Sequence, residues 1–289
     1  MKILITGGNG FTGQHFAKFA QDAGYETISL VSNLNDIPSL EREVIETNVD
    51  FIAHFAGISF VHSKDQEAFY RVHALGTSNL LNATLKQAKL PKKILLASSA
   101  TVYGNSINLL SDEKQELSPI DHYAISKVAM EEMAKTYYQR LPIVVTRPFN
   151  YTGPGQKENF LIPKLIQHFS EKKPIIELGN LEIEREFNDI QTICFAYLSL
   201  LEFGEKNETY NVCSGHARSL KLVLDTLIEM TGHSIEIKVN PDFVRANEIR
   251  RMCGNPSKLI SLLKNKGLQL PIPPLENTLH DMLMAANKK

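Results

Sequence analysis

The chain opens without the long hydrophobic run that a signal peptide or a membrane span requires. Its apolar start, Ile3-Leu4-Ile5, is cut off by Thr6-Gly7-Gly8. A cytoplasmic protein with no membrane partner is the expectation. Excess charge of either sign is also missing: the formal net charge is −1. No dense block of Lys and Arg stands out, Arg250-Arg251 being only a pair. That argues against nucleic acid as the main partner. Cysteine is scarce, and Cys194, Cys213 and Cys253 form neither a CxxC pair nor a metal-ligand spacing. Free, buried or partly buried thiols in a reducing compartment are expected, with no metal site. Internal repeats and low-complexity segments are absent too. What remains, 43% hydrophobic and 22% charged residues over 289 positions, suits a globular enzyme of one large or two modest domains.

The informative stretches are short. Lys2–Thr6 reads as a buried strand, followed by Gly7-Gly8-Asn9-Gly10-Phe11-Thr12-Gly13 and a helix-like run from Gln14 to Ala23. Strand, glycine-rich turn and helix in that order form a phosphate cradle. Gly7 permits the tight turn, Gly10 the approach of a pyrophosphate, and Gly13 the close packing of helix on strand. The first helical turn offers free N–H groups to the anion. The plain alternative is a tight turn that binds nothing. A second strand, Thr27 to Val31, ends in Ser32-Asn33-Leu34-Asn35, without the carboxylate that would hold a ribose 2′-OH. The cofactor therefore tilts towards NADP(H), with NAD(H) possible. Little room is left for the usual helix and third strand before Ile37-Pro38-Ser39, so this segment reads as compressed.

Further along, Ser39 to Thr47 suits a short helix with Ser39 as N-cap, and Asp50 to Gly57 a strand ending in small residues. His54, alone, is more often structural than catalytic. A long helical pattern covers Ala68 to Ala88, and Lys93 to Ala97 is a buried strand running into Ser98-Ser99. Serines there lie at the edge where open α/β sheets bind ligands. Then comes Tyr123-Ala-Ile-Ser-Lys127 on a helix-forming run, its phenol and ammonium stacked on one face. A nearby cation pulls a phenol's pKa down, which makes the pair an acid/base candidate. The plain alternative is a surface helix with a solvated lysine. Ile143 to Thr146 is another strand, ending in Arg147-Pro148-Phe149-Asn150.

Alternation of strands and helices predicts an α/β fold, a Rossmann-type doubly wound parallel sheet. Beyond Asn150 the rhythm breaks into a loop over Tyr151–Gln156, a helix from Asn159 to Phe169, short strands at Ile175–Leu178 and Tyr210–Val212, a helix at Leu220–Met230, and a bend at Pro271–Pro274 before the last helix. The expected division is residues 1–158 as an NAD(P)-binding domain and 159–289 as a smaller C-terminal substrate-binding lobe, partly interleaved with the sheet.

Taken together, Gly7-x-x-Gly10-x-x-Gly13, Ser98-Ser99-Ala100-Thr101-Val102-Tyr103-Gly104, Tyr123-x-x-x-Lys127, Arg147-Pro148-Phe149-Asn150, Arg185-x-Phe187-x-Asp189 and Arg245 resemble the extended short-chain dehydrogenases/reductases. The resemblance spans essentially the whole chain. Within that branch, Arg147 to Gln156, Glu184 to Asp189 and Tyr210 to Gly215 look like the GDP-4-keto-6-deoxy-D-mannose reductases, which form GDP-D-rhamnose. A nucleotide-sugar 4-epimerase with tightly bound NAD, or a 4-ketoreductase of a dTDP- or CDP-linked sugar, shares the scaffold. A non-catalytic NADP sensor does too, although such relatives usually lose the tyrosine or lysine. A 4,6-dehydratase needs an acidic pair after the catalytic Thr, where Ala100 and Thr101 stand.

The resemblance implies roles residue by residue. Gly7, Gly10, Phe11 and Gly13 would surround the pyrophosphate, with Asn33 and Leu34 flanking the adenine. Phe55, Ala56, Gly57 and Ser98 would line the cofactor, and Pro148 the nicotinamide side. Ser99, Tyr123 and Lys127 would be catalytic, the last two also touching cofactor. Asn150, Asn159, Arg185 and Arg245 would hold the nucleotide-diphosphate sugar, guanidinium forks suiting its phosphates. His73 stands where many relatives carry asparagine. The resemblance also implies a homodimer.

Overall fold

Residues 1–58, 65–106, 108–243 and 249–287 are described by the structure, a computed structural model. Its first half lays down β1 (Lys2–Thr6), α1 (Phe11–Asp22), β2 (Glu26–Ser29), α2 (Ile37–Thr47), β3 (Phe51–His54), α3 (Gln66–Tyr70), α4 (Thr77–Thr84), β4 (Lys93–Ala97), α5 (His122–Lys135) and β5 (Ile143–Pro148). Next come β6 (Tyr151–Thr152), α6 (Leu161–Ser170), β7 (Ile175–Leu178), β8 (Glu184–Arg185), β9 (Asn188–Asp189), α7 (Ile190–Phe203) and β10 (Glu208–Val212). The chain ends with β11 (Arg218–Ser219), α8 (Leu220–Thr231), β12 (Glu236–Val239), β13 (Arg251–Met252), α9 (Ser257–Lys264) and α10 (Leu275–Ala286).

Six parallel strands form the central sheet in the order β10-β5-β4-β3-β1-β2. Successive side chains of a strand point to opposite faces, so a sheet covered on both sides needs apolar residues at every position. In β1, Ile3 and Ile5 enter one core with Phe16, Phe51, Ala53 and Leu95, while Leu4 enters the other with Ile52, Ile94 and Leu96. Helix α7 fills the first core and α2, α4 and α5 the second. Burying each such Leu, Ile or Phe stabilises the fold by roughly 1.5–3 kcal/mol.

The compressed segment after β2 has a topological result. The usual doubly wound order places a third strand outside the second, whereas here β2 is the sheet edge and only α2 separates it from β3. Helix α2 begins at Ile37, not at Ser39. Asp36 caps it by accepting from Ser39 N–H, with the proline tolerated in its first turn. The helical pattern from Ala68 is interrupted as well: a π-helical turn, Arg71–Gly76, joins α3 to α4, which ends at Thr84.

In the second half, Ile162, Leu165, Phe169, Ile176, Leu178, Leu224, Leu227, Leu279 and Met282 build a separate core from α6, β7, α8 and α10. Strand β10 nevertheless returns to the central sheet beside β5. No helix among the described residues is long and apolar enough to cross a membrane.

Candidate active site

The glycine-rich turn joins β1 to α1. Gly7 has φ +70°, and a Cβ there would lie 2.7 Å from the Ala56 nitrogen, so only glycine fits. Gly10 N–H donates to the Gly7 carbonyl at 2.9 Å, closing the turn. A Cβ on Gly13 would overlap the Gly7 carbonyl oxygen. Helix α1 starts with no side-chain cap, leaving its first-turn N–H groups for an anion. These features fit a pyrophosphate. The turn is also braced: Thr12 Oγ1 and Tyr151 Oη are 2.7 Å apart, and His15 Nε2 lies 2.9 Å from the Pro154 carbonyl. Phe11 stacks on Tyr151 at 6.3 Å.

Asp121 caps α5 by accepting from Ala124 N–H at 2.7 Å. That cap sets Tyr123 in the first turn and Lys127 one turn later on the same face. Ser99 follows β4, and its Oγ accepts from Thr101 N–H at 3.2 Å and Thr101 Oγ1–H at 2.9 Å. Its own hydrogen is thereby not spent on Thr101, and the hydroxyl pulls the Tyr123 phenol's pKa down. Burial pushes Tyr123 up to about 12, against the pull of Ser99. The expectation that Lys127 lowers this phenol is corrected: desolvation dominates, and the lysine is not among the groups that shift it. Lys127 Nζ instead donates to the Ala97 carbonyl at 2.8 Å, and burial brings it down to about 8. Gly57 faces this lysine; a Cβ there would lie 3.6 Å from Nζ and 3.1 Å from His73 Nε2.

One turn beyond Lys127, on the same face, is a residue that the sequence reading missed. Glu131 is 3% exposed and takes a bidentate bond from Arg147, with Nη2 to Oε2 at 2.6 Å and Nε to Oε1 at 3.1 Å. Ser98 Oγ donates to the same carboxylate at 2.5 Å. Arg147 goes on to Tyr103 Oη at 3.0 Å, which donates to Asn211 Oδ1 at 2.7 Å. The signal was available: Glu131 stands four residues past Lys127.

Around the end of β2, Asn33 is exposed and its Oδ1 accepts from Asn35 N–H at 2.9 Å. Leu34 turns inward, buried beside Gly76, and its carbonyl accepts from Asn79 Nδ2 at 2.9 Å. The strand end does meet a carboxylate, but one from a neighbouring helix. Glu43 of α2 accepts from Val31 N–H at 2.8 Å and Ser32 N–H at 2.7 Å. No local pattern marks it. The Phe55 ring packs between Phe16 and Tyr197, 5.1 Å from each, and Ala56 N–H donates to Thr6 Oγ1 at 3.1 Å.

Pro148 ends β5. Asn150 is exposed just beyond it, its carbonyl accepting from Asn188 N–H at 2.9 Å and Nδ2 at 3.1 Å. Asn159 lies exposed in the turn before α6. On β8, Arg185 spreads its guanidinium over the carbonyls of Glu184 at 2.9 Å and Arg250 at 3.2 Å, and that of Ile249. Arg245 lies outside the described residues. Ser99, Tyr123, Lys127 and Gly57 are thus brought together.

The profile of the NAD dependent epimerase/dehydratase family matches residues 3–213. The GDP-6-deoxy-D-talose 4-dehydrogenase of Aggregatibacter actinomycetemcomitans is 36% identical over 270 residues, covering 92% of each chain. The GDP-6-deoxy-D-mannose reductase of Pseudomonas aeruginosa is 30% identical, covering 89% of each. The structure of RMD from Pseudomonas aeruginosa complexed with NADPH superposes with a TM-score of 0.90 at 27% identity, over 99% of both chains. The chain belongs to the NAD dependent epimerase/dehydratase family, and is an NAD(P)-dependent enzyme of its nucleotide-sugar 4-reductase, dehydrogenase and epimerase group.

Proposed function

We propose that the protein interconverts a ketone and an alcohol at C4 of a GDP-linked 6-deoxyhexose, reducing GDP-4-keto-6-deoxy-D-mannose to GDP-D-rhamnose. The observation that carries the reading is the placing of Tyr123 and Lys127 one helical turn apart on α5, with the Ser99 hydroxyl at the end of β4 pulling the Tyr123 phenol down. The cofactor's fit rests on the side-chain-free cradle of Gly7, Gly10 and Gly13, on the uncapped start of α1 and on the lack of a Cβ at Gly57. When bound there, a reduced nicotinamide supplies hydride to the carbonyl carbon. With its pKa raised to about 12, Tyr123 is protonated at neutral pH and donates to the developing alkoxide. Ser99, whose one hydrogen is not spent on Thr101, donates it to the same oxygen. Lys127, charged below about pH 8 and held by the Ala97 carbonyl beside Gly57, is proposed to hold the nicotinamide ribose. Asn150, Asn159, Arg185 and Arg245 are proposed to hold the nucleotide-sugar.

A second stereochemical reading has its own support, because the 36% identical relative is named for GDP-6-deoxy-D-talose, the C4 epimer. Both share the same 4-keto compound. The test is loss of NADPH or NADH absorbance on adding GDP-4-keto-6-deoxy-D-mannose, with the product's C4 configuration read by proton couplings. An axial hydroxyl selects talose. Unchanged absorbance with either cofactor sinks the reductase reading, and cofactor retained while C4 inverts selects the epimerase. A homodimer, proposed from resemblance alone, is tested by sedimentation, and a cytoplasmic location, proposed from the short apolar start, by cell fractionation.

A further inference from the structure

The cofactor cradle and the tyrosine helix are joined by buried hydrogen bonds whose proton directions are fixed by the geometry. Ala56 N–H donates to Thr6 Oγ1 at 3.1 Å, which leaves the Thr6 hydroxyl hydrogen for His54 Nδ1, 2.6 Å away. Across the imidazole, His54 Nε2 lies 2.8 Å from Thr77 Oγ1. Thr77 spends its only hydrogen on the His73 carbonyl at 2.5 Å, so it accepts from His54 Nε2–H. The His73 side chain continues the path. Its Nε2 accepts from Ile58 N–H at 3.0 Å, and its Nδ1 lies 2.8 Å from Ser126 Oγ. Ser126 in turn gives its hydrogen to the Tyr123 carbonyl at 2.7 Å, which makes His73 Nδ1 a donor.

Each neutral imidazole therefore has one tautomer that satisfies all its neighbours: Nε2–H at His54 and Nδ1–H at His73. Both rings are buried, 2% and 0% exposed. Burial, with the charge of Lys127 nearby, lowers His54 to about 3 and His73 to about 2, which keeps them neutral. The π-helical turn Arg71–Gly76 delivers His73 to this position, its ring edge-on to Tyr123 at 5.5 Å. Such turns often occur at functional sites.

We infer that His54 and His73 are positioning residues, a two-histidine strut that couples the segment after β3 and the base of the glycine-rich turn to the Tyr123 helix. The two nitrogens of His73 have separate duties. Nε2 sets the Ala56–Ile58 segment against the cofactor site, and Nδ1 sets the first turn of α5. The inference deepens the reading of Tyr123 as proton donor and rests on it for its kinetic half only.

The strut is tested first on the wild-type chain with isotope-labelled histidine, by two-bond proton–nitrogen correlation spectra, signals being assigned by their loss in H54N and H73N. The expected spectra show Nδ1–H for His73 and Nε2–H for His54, neither titrating above about pH 5, well below the ordinary value near 6.5. The other tautomer at either ring, or protonation near the ordinary value, overturns the strut whatever the enzyme's substrate. The kinetic half uses H73N, which keeps a donor towards Ser126 but not the acceptor for Ile58, and H73Q, which does the reverse. H73N is expected to weaken NADPH binding, read by direct titration, about ten-fold with kcat within about three-fold. H73Q is expected to bind NADPH normally and lose about ten-fold in kcat, a loss shared by S126A. Equal effects in both variants, the opposite split, or no effect overturns the separation of duties. Absence of any turnover in the wild type sinks the functional reading and leaves the spectra and titrations standing.

Discussion

Tyr123 and Lys127 carry opposite consequences of the same burial. Desolvation keeps the phenol protonated at neutral pH and makes the ammonium easier to discharge. Tyr123→Phe is expected to leave NADPH binding intact and cut turnover by about two to four orders of magnitude; near-normal kcat would remove Tyr123 from the mechanism. Lys127 also exacts a stability cost. Its pKa of about 8 in the fold lies below the unfolded value, 10.5, so at neutral pH both states are charged and the folded one bears the desolvation. The unfolded state holds the extra proton between those values, and stability from this group rises with pH across that window. Lys127→Met is therefore expected to melt higher than wild type at pH 7 while losing activity. The advantage should shrink as pH rises from about 8 to 10.5. An advantage that stays constant with pH would refute the linkage.

At the level of elements, α5 and β5 are tied by the Glu131–Arg147 pair, which is almost fully buried, with side chains 3% and 7% exposed. Removing one partner of such a pair strands the other charge in the interior. Glu131→Ala is expected to lower unfolding free energy by about 3–5 kcal/mol, measured by urea denaturation. Glu131→Gln, which keeps an acceptor for Ser98 and Arg147, should cost clearly less; equal losses would show that the acceptor contributes nothing without the charge. The sequence exposed some elements and hid others for identifiable reasons. The strand-turn-helix at Gly7–Gly13 and the Tyr123 helix were legible because glycine spacing and an unbroken helix-forming run are local signals. Helix α7 was not, since Ile190, Ile193, Ala196, Tyr197, Leu200 and others bury it on nearly every side and erase the amphipathic stripe. The π-helical turn was hidden too, because the apolar spacing of Ala68–Ala88 reads the same through one inserted residue. Of the site, Ser99, Tyr123 and Lys127 could be named from motif spacing. Their bonded neighbours Ser126 and Thr101, and Glu131 one turn beyond Lys127, depend on which way each hydroxyl and carboxylate turns. Arg185 shows the converse: its residue type suits phosphate, yet its described partners are backbone carbonyls.

For the whole molecule, the alternation of strands and helices foretold a parallel sheet, and the short span between Val31 and Ile37 foretold a missing strand. It did not foretell which edge would be left open. That edge is β2, with Val31 just beyond it 88% exposed. An unpaired strand is a template for another molecule's backbone, and proteins blunt such edges with charge and brevity. Here β2 has four residues, and Glu43 occupies the amides of Val31 and Ser32 where pairing would otherwise extend. A carboxylate there would oppose sheet-to-sheet pairing; burial pulls its pKa up, and its acceptor bonds more than offset that and hold it below the usual value. Glu43→Ala is expected to keep its fold and gain a concentration-dependent β-rich aggregate, visible by light scattering and thioflavin binding. Unchanged solubility would show that α2 screens the edge by bulk alone. With no strand outside β2, an acidic side chain from the next helix occupies the amides that a second sheet would seek.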